Sequence, residues 1–261
     1  MSTKANDTRI LFEHEGPVAR IVVNRPDKLN AVTKEMGKAL QRFAQKVTDD
    51  ERIRVAIVIG AGTRAFSAGS DVGGLGDYGT SWQMRNRVDY ARVVYSIRKP
   101  VIAAIRGYCI GGGLELALAC DIRIATPSAR FGAGEIKLGW HGSAGNTQLL
   151  PRLVGYGKAL QILLTGDFID AAEAHRVGLI QEVVPEDELE GFVQAMAQRI
   201  ARNAPIAVQA TKHLVRVSES APLEVGFAYE NDLFTYCFTT QDSREGIDAF
   251  TEKREPHFRG E

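Results

Sequence analysis

The chain has 261 residues, 44% of them hydrophobic and 25% charged, the balance of a globular protein with a sizeable core rather than a disordered one. Lysine plus arginine and aspartate plus glutamate stand at 32 each, so no global field draws in nucleic acid or an anionic membrane surface. A phosphorylated ligand would need only a local basic patch. No apolar run approaches the ~20 residues that span a bilayer, and residues 1–7 are polar without the apolar stretch of a signal peptide, so a cytoplasmic protein is expected. Cys109, Cys120 and Cys237 form no metal-ligand spacing and leave an odd count, which fits reduced structural thiols and no metal.

In chain order, two strands are predicted at 10–12 and 18–23, separated by the charged turn at 13–16. Thr33 reads as an N-cap, with Met36, Leu40, Phe43, Ala44 and Val47 on one helical face. A continuous apolar strand at 55–59, buried on both faces, runs into Gly60-Ala61-Gly62 and then Ala65 to Asp71. A polar helix is predicted over 81–98, ended by Pro100, and a second buried strand at 101–105 empties into the glycine-rich turn at 107–113. A short apolar helix at 114–120 and a third strand at 122–125 follow. Strand, small-residue turn and helix thus recur twice, the pattern of an α/β core with its site at strand C-termini. Helices are predicted at 159–164, 171–177, 189–202, 206–217 and 223–238, with one strand at 180–184 and a soft boundary at 195–205.

Three turns carry residues fit for chemistry. Gly111-Gly112-Gly113 feeds a helix, so its N–H groups are unobstructed and sit at the positive end of the helix dipole, able to hold a developing oxyanion. Glu115 lies one turn beyond Gly112 and could move a proton there. On spacing alone, a tight crossing with Glu115 as a helix cap fits slightly better. Ala68-Gly69-Ser70-Asp71 ends a different strand, and its backbone could supply a second donor to the same oxygen. No Gly-x-Ser-x-Gly elbow surrounds Ser70, so its amide is a better candidate than its hydroxyl. Glu135 sits in a third small-residue turn, and nothing local brings it near Glu115.

At this constellation the chain resembles the crotonase (enoyl-CoA hydratase/isomerase) superfamily over nearly its whole length. The resemblance rests on Asn24-Arg25-Pro26-Asp27-Lys28-Leu29-Asn30-Ala31, Ala65 to Asp71, Lys99-Pro100-Val101-Ile102-Ala103-Ala104, Gly107 to Leu116, Cys120 to Ala125, Leu150 to Gly155 and Glu252-Lys253-Arg254, in that order. It implies an α/β spiral of repeated strand–strand–helix units over residues 1–200, followed by a helical trimerisation region over 201–261, in a homotrimer or dimer of trimers. It implies an oxyanion hole from the amides of Ser70 and Gly112, and two catalytic glutamates, Glu115 and Glu135, that hold one water between them. Many relatives of other activity lack one glutamate, so keeping both favours a 2-enoyl-CoA hydratase, a hydro-lyase of fatty-acid type. Double-bond isomerisation or a specialised hydration–dehydration stands as the alternative, and an RNA-binding relative as the distant one. Lys28, Leu29 and Ala68 would cradle coenzyme A, with Phe250 and Lys253 reaching it from the C-terminus. Coenzyme A enters as part of the acyl-CoA substrate, with no prosthetic group, nucleic acid or membrane partner. The chain departs from the hydratase pattern after Gly139: Gly142 replaces a proline, and Ser143 replaces a glycine whose backbone helps position the water. Trp140, His141 and Ser143 therefore bear on the acyl and water pocket.

Overall fold

The computed structural model describes residues 9–261, so the segment read for a leader lies outside the described residues. β1 (Ile10–Glu15) and β2 (Val18–Val23) form an antiparallel hairpin turned at Gly16. α1 (Lys34–Asp49) starts where Thr33 Oγ1 accepts from the Met36 amide, and it buries Met36, Leu40, Ala44 and Val47, the face read from the sequence.

Three strand–strand units come next. The first is β3 (Val55–Gly60), β4 (Ala65–Ser67) and the helices α2 (Ser81–Arg85) and α3 (Tyr90–Tyr95). The second is β5 (Val101–Ile105), β6 (Tyr108–Ile110) and α4 (Gly112–Ala119). The third is β7 (Ile122–Ala125), β8 (Arg130–Gly132) and the 3-10 turn Gly134–Leu138. Then come α5 (Leu150–Val154), α6 (Tyr156–Thr165), β9 (Ile169–Asp170), α7 (Ala171–Arg176), β10 (Glu182–Val183) and α8 (Leu189–Ala201). The chain closes with α9 (Pro205–Ser218), α10 (Leu223–Phe238) and α11 (Gln241–Glu252).

The first strand of each unit enters a six-stranded sheet, β1-β2-β3-β5-β7-β10, and the second enters a four-stranded sheet, β4-β6-β8-β9. The chain therefore winds as a spiral. Alternation along each long strand divides its side chains between two cores. Ala56 and Val58 of β3 join Val101, Ala103 and Ile105 of β5 in the cluster that also holds α1, α3 and α4. Val55, Ile57, Ile59, Ile102 and Ala104 face the other way, against Leu189, Val193, Ala197 and Ala201 of α8. Each such large side chain contributes about 1.5–3 kcal/mol by leaving water.

Three expectations change in detail. The single helix at 81–98 is two short ones, because Asp89 Oδ1 accepts from the Arg92 amide and starts a second helix after a break. The four-stranded sheet hides within segments read as glycine turns, since β4, β6 and β8 are only three residues each. α11, capped by Thr240 on the Ser243 amide, is an additional helix. α9 is clamped to the spiral: Asp121 accepts from Lys212 Nζ at 2.6 Å and Arg216 Nη2 at 2.9 Å.

Candidate active site

The parallel register of the short sheet builds the site. β6 pairs with β4 on one side and β8 on the other, so the turns after all three strands lie side by side. Gly111 holds φ 56° and ψ −127°, a region closed to residues with a Cβ, and its amide donates to Gly132 O at 2.9 Å. That bond ties the Glu115 turn to the Glu135 turn.

Between the β4 and β6 turns the backbones nearly touch. A Cβ on Gly69 would lie 2.5 Å from the Gly112 nitrogen, and one on Gly112 would lie 3.2 Å from the Ser70 nitrogen and overlap the Tyr90 hydroxyl. Among the described residues, neither the Ser70 amide nor the Gly112 amide donates a hydrogen bond to another protein group. Two adjacent open donors at the start of α4 suit an oxygen that gains negative charge. Tyr90 Oη shares a hydrogen bond with Ser70 Oγ at 3.2 Å, which fastens the first turn from behind. Burial above all, and then the charge of Glu115, pushes its phenol up, so it stays neutral.

Both amides open on a cleft of about 840 Å³ whose lining also includes Glu115, Glu135, Ala68, Arg87, Trp140, His141 and Ser143. Glu115 is 6% exposed on α4, and its Oε1 accepts from the Ser143 amide at 2.5 Å. Its carboxyl is pushed up to about 8, first by burial and second by the charge of Glu135, while the Ser143 N–H works in the opposite direction. Burial also raises Glu135, offset in part by its own backbone amide and by Asn146. Asn146, fully buried, reaches Glu115 Oε1 and Glu135 Oε1, each at 3.4 Å, and so spans the pair. Glu135 Oε2 is a buried acceptor without a donor among the described residues. The arrangement is a pair of open backbone donors beside two buried carboxyl groups, both raised above the ordinary carboxylate range.

A sequence model of the enoyl-CoA hydratase/isomerase family matches residues 13–261. The chain belongs to that family. The short-chain-enoyl-CoA hydratase of Clostridium acetobutylicum is 37% identical over 250 residues, covering 94% of this chain and 95% of that one. The (E)-benzylidenesuccinyl-CoA hydratase of Thauera aromatica is 38% identical over 253 residues, covering 96% and 99%. The crystal structure of enoyl-CoA hydratase from Bacillus anthracis matches with a TM-score of 0.92 at 37% identity, over 97% of this chain and 100% of that one. The spiral is thus the crotonase fold, and the resemblance read from the motifs is real.

Within this family member, the cleft gathers Ser70, Gly112, Glu115, Glu135, Ala68, Trp140, His141 and Ser143. Lys28 and Leu29 adjoin it, because the Ala68 amide donates to Leu29 O at 2.8 Å. Buried Asn30 fastens that edge: its Nδ2 donates to Ala61 O and Ala65 O, and its Oδ1 accepts from the Arg25 amide. Phe250 and Lys253 do not line the cleft; they lie at the end of α11, with Phe250 87% exposed. Sequence reasoning missed Tyr90, Arg87 and Asn146. Asn146 carried a partial signal, since Gly142 is the departure from the family pattern, and a Cβ there would fall 2.7 Å from Asn146 Nδ2.

Proposed function

We propose that this chain is an enoyl-CoA hydratase, adding water across the C2–C3 double bond of a 2-enoyl-CoA thioester. The observation that carries the reading is the pair of open amides, Ser70 and Gly112, in the same cleft as two carboxyl groups with raised pKa. The amides would accept the thioester oxygen, draw electron density from C3 and hold the enolate charge after attack. Water adds its oxygen to C3 and gives a proton to one ionised glutamate. The other, protonated, glutamate gives its proton to C2. The pair ends with the one proton it began with, on the opposite carboxyl group. Like charges in a dehydrated site disfavour double ionisation, so sharing one proton is the low-energy state.

In this reading coenzyme A is part of the substrate, held at the edge formed by Lys28, Leu29 and Ala68, with Phe250 and Lys253 contributing from the C-terminal region; no prosthetic group takes part. Residues 201–261 would serve as the trimerisation region of a homotrimer or dimer of trimers. Leu223, Val225, Phe227, Phe234 and Phe238 of α10 are exposed on the single chain, which supports this assembly, and sedimentation measures it. A cytoplasmic location belongs to the same reading; among the described residues no helix is long and apolar enough to cross a membrane.

The test is loss of the conjugated enoyl absorbance of crotonyl-CoA. Failure to hydrate short, medium or aromatic enoyl thioesters would overturn the reading, and migration of the double bond without water uptake would replace it with isomerisation.

A further inference from the structure

Arg87 and Lys137 both line the cleft, and their pairing differs. Lys137 is taken by Asp167 at 2.9 Å on the exposed rim. Arg87, half-buried in the break between α2 and α3, has no carboxylate partner among the described residues. Its Nη1 donates to Met84 O at 2.9 Å and its Nη2 to Ser143 Oγ at 3.1 Å. Both acceptors are neutral and fix the plane of the guanidinium, whose charge acts only at a distance on Glu115, the least of the influences on that carboxyl. Arginine stays protonated and presents five donors in a rigid fork, so three remain for a ligand. A partly dehydrated cation costs free energy until an anion meets it, and the geometry of the fork matches a carboxylate.

Position decides where that anion belongs. Ser143 donates its amide to Glu115 and accepts from Arg87 through its hydroxyl, so the fork lies on the Ser143 side of the proton-moving pair. Lys28 and Leu29 belong to the Ala68 edge instead. Much of the remaining lining of the cleft is apolar, from Val72, Leu75, Met84, Leu138, Trp140 and Phe168, and suited to methylenes or a ring. We propose that Arg87 is a receptor for a second, free carboxylate on the acyl group, so that the preferred substrates are thioesters of dicarboxylic acids. The proposal rests on the acyl-CoA reading above and narrows its substrate class. A coenzyme A phosphate is the other anion on the same ligand, and comparing thioesters of equal chain length removes it.

The test uses adipoyl-CoA and hexanoyl-CoA, saturated six-carbon thioesters that cannot be hydrated, titrated calorimetrically into the full chain. Adipoyl-CoA should bind about 10- to 100-fold more tightly, the effect of a charge-assisted bidentate contact. Arg87→Met should abolish that preference, and Arg87→Lys should keep only part of it. Equal affinities in the wild type, or a preference that survives Arg87→Met, would overturn the proposal. The matching 2-enoyl thioesters separate recognition from positioning. If Arg87→Met or Arg87→Lys lowers kcat/KM equally for both, Arg87 merely anchors Ser143 and the proposal fails; a larger loss for the carboxylate-ended one supports it. A wild type that selects adipoyl-CoA yet hydrates neither enoyl thioester would support the receptor and overturn the hydratase reading alone.

Discussion

Gly112→Ala tests the oxyanion hole through the space the structure denies it. The added methyl would overlap the Tyr90 hydroxyl and stand 3.2 Å from both the Gly69 Cα and the Ser70 nitrogen. Tyr90 is buried against the core and cannot swing away, so the methyl must push the two turns apart. Displacing one oxyanion donor lowers kcat by about 100- to 1,000-fold, or roughly 3–4 kcal/mol of transition-state stabilisation. Overpacking costs about 1–3 kcal/mol of folding stability as well. Tyr90→Phe removes the obstructing oxygen and opens the space by one C–O bond. Alone it should cost little, since it forfeits one hydrogen bond of about 0.5–1.5 kcal/mol. Combined with Gly112→Ala it should return roughly tenfold of the lost rate, a coupling of ~1.4 kcal/mol in a double-mutant cycle. The assay is kcat for crotonyl-CoA hydration beside a urea titration of each variant. A Gly112→Ala enzyme within a few-fold of wild type would refute the donor assignment, and a double variant no better than the single one would refute the clash.

Three further outcomes follow from buried charge. The folded pKa of Glu115, about 8, lies above its ordinary 4.5, so its contribution to stability is fully present below pH 4.5 and is lost as pH rises through 8. Glu115→Gln should therefore be more stable than wild type by on the order of a few kcal/mol at pH 8 and equal to it at pH 4, by urea titration at both pH values. Asn146→Asp places a third carboxyl group against Glu115 and Glu135; it should lower kcat by about 100-fold and melt at a lower temperature at pH 8 than at pH 5. Asp121→Ala strands Lys212 and Arg216 and frees the Val101 amide, and should cost about 3 kcal/mol in urea unfolding, tempered by the partial exposure of the pair.

The long strands and α1 were legible because each follows from local pattern, apolar runs and an N-cap. The approach of Ser70 to Gly112 was legible only on the condition that their strands are neighbours, which β4 and β6 meet. The meeting of Glu115 with Glu135 was not, since it depends on β6 and β8 pairing in register, Ile110 against Gly132. Three-residue strands inside glycine-rich turns carry too little periodicity to announce a sheet. Only the family resemblance supplied that contact in advance. Asn146 was missed because its role arises from a loop folded back so that Gly142 packs on it, and Tyr90 because a core-facing tyrosine on a short helix looks like any other packing residue. The helix expected over 81–98 failed where Asp89 caps a new start, and Arg87, which lines the cleft, lies in that break.

Glu115→Gln and Glu135→Gln, each tested for crotonyl-CoA hydration beside a thioester-binding titration, put the central claim to the most direct measurement. Each variant should lose several orders of magnitude in kcat while still binding the thioester, because the amides of Ser70 and Gly112 remain in place and only the proton traffic is removed. Hydration at an undiminished kcat in either variant would contradict a mechanism in which that glutamate moves the proton.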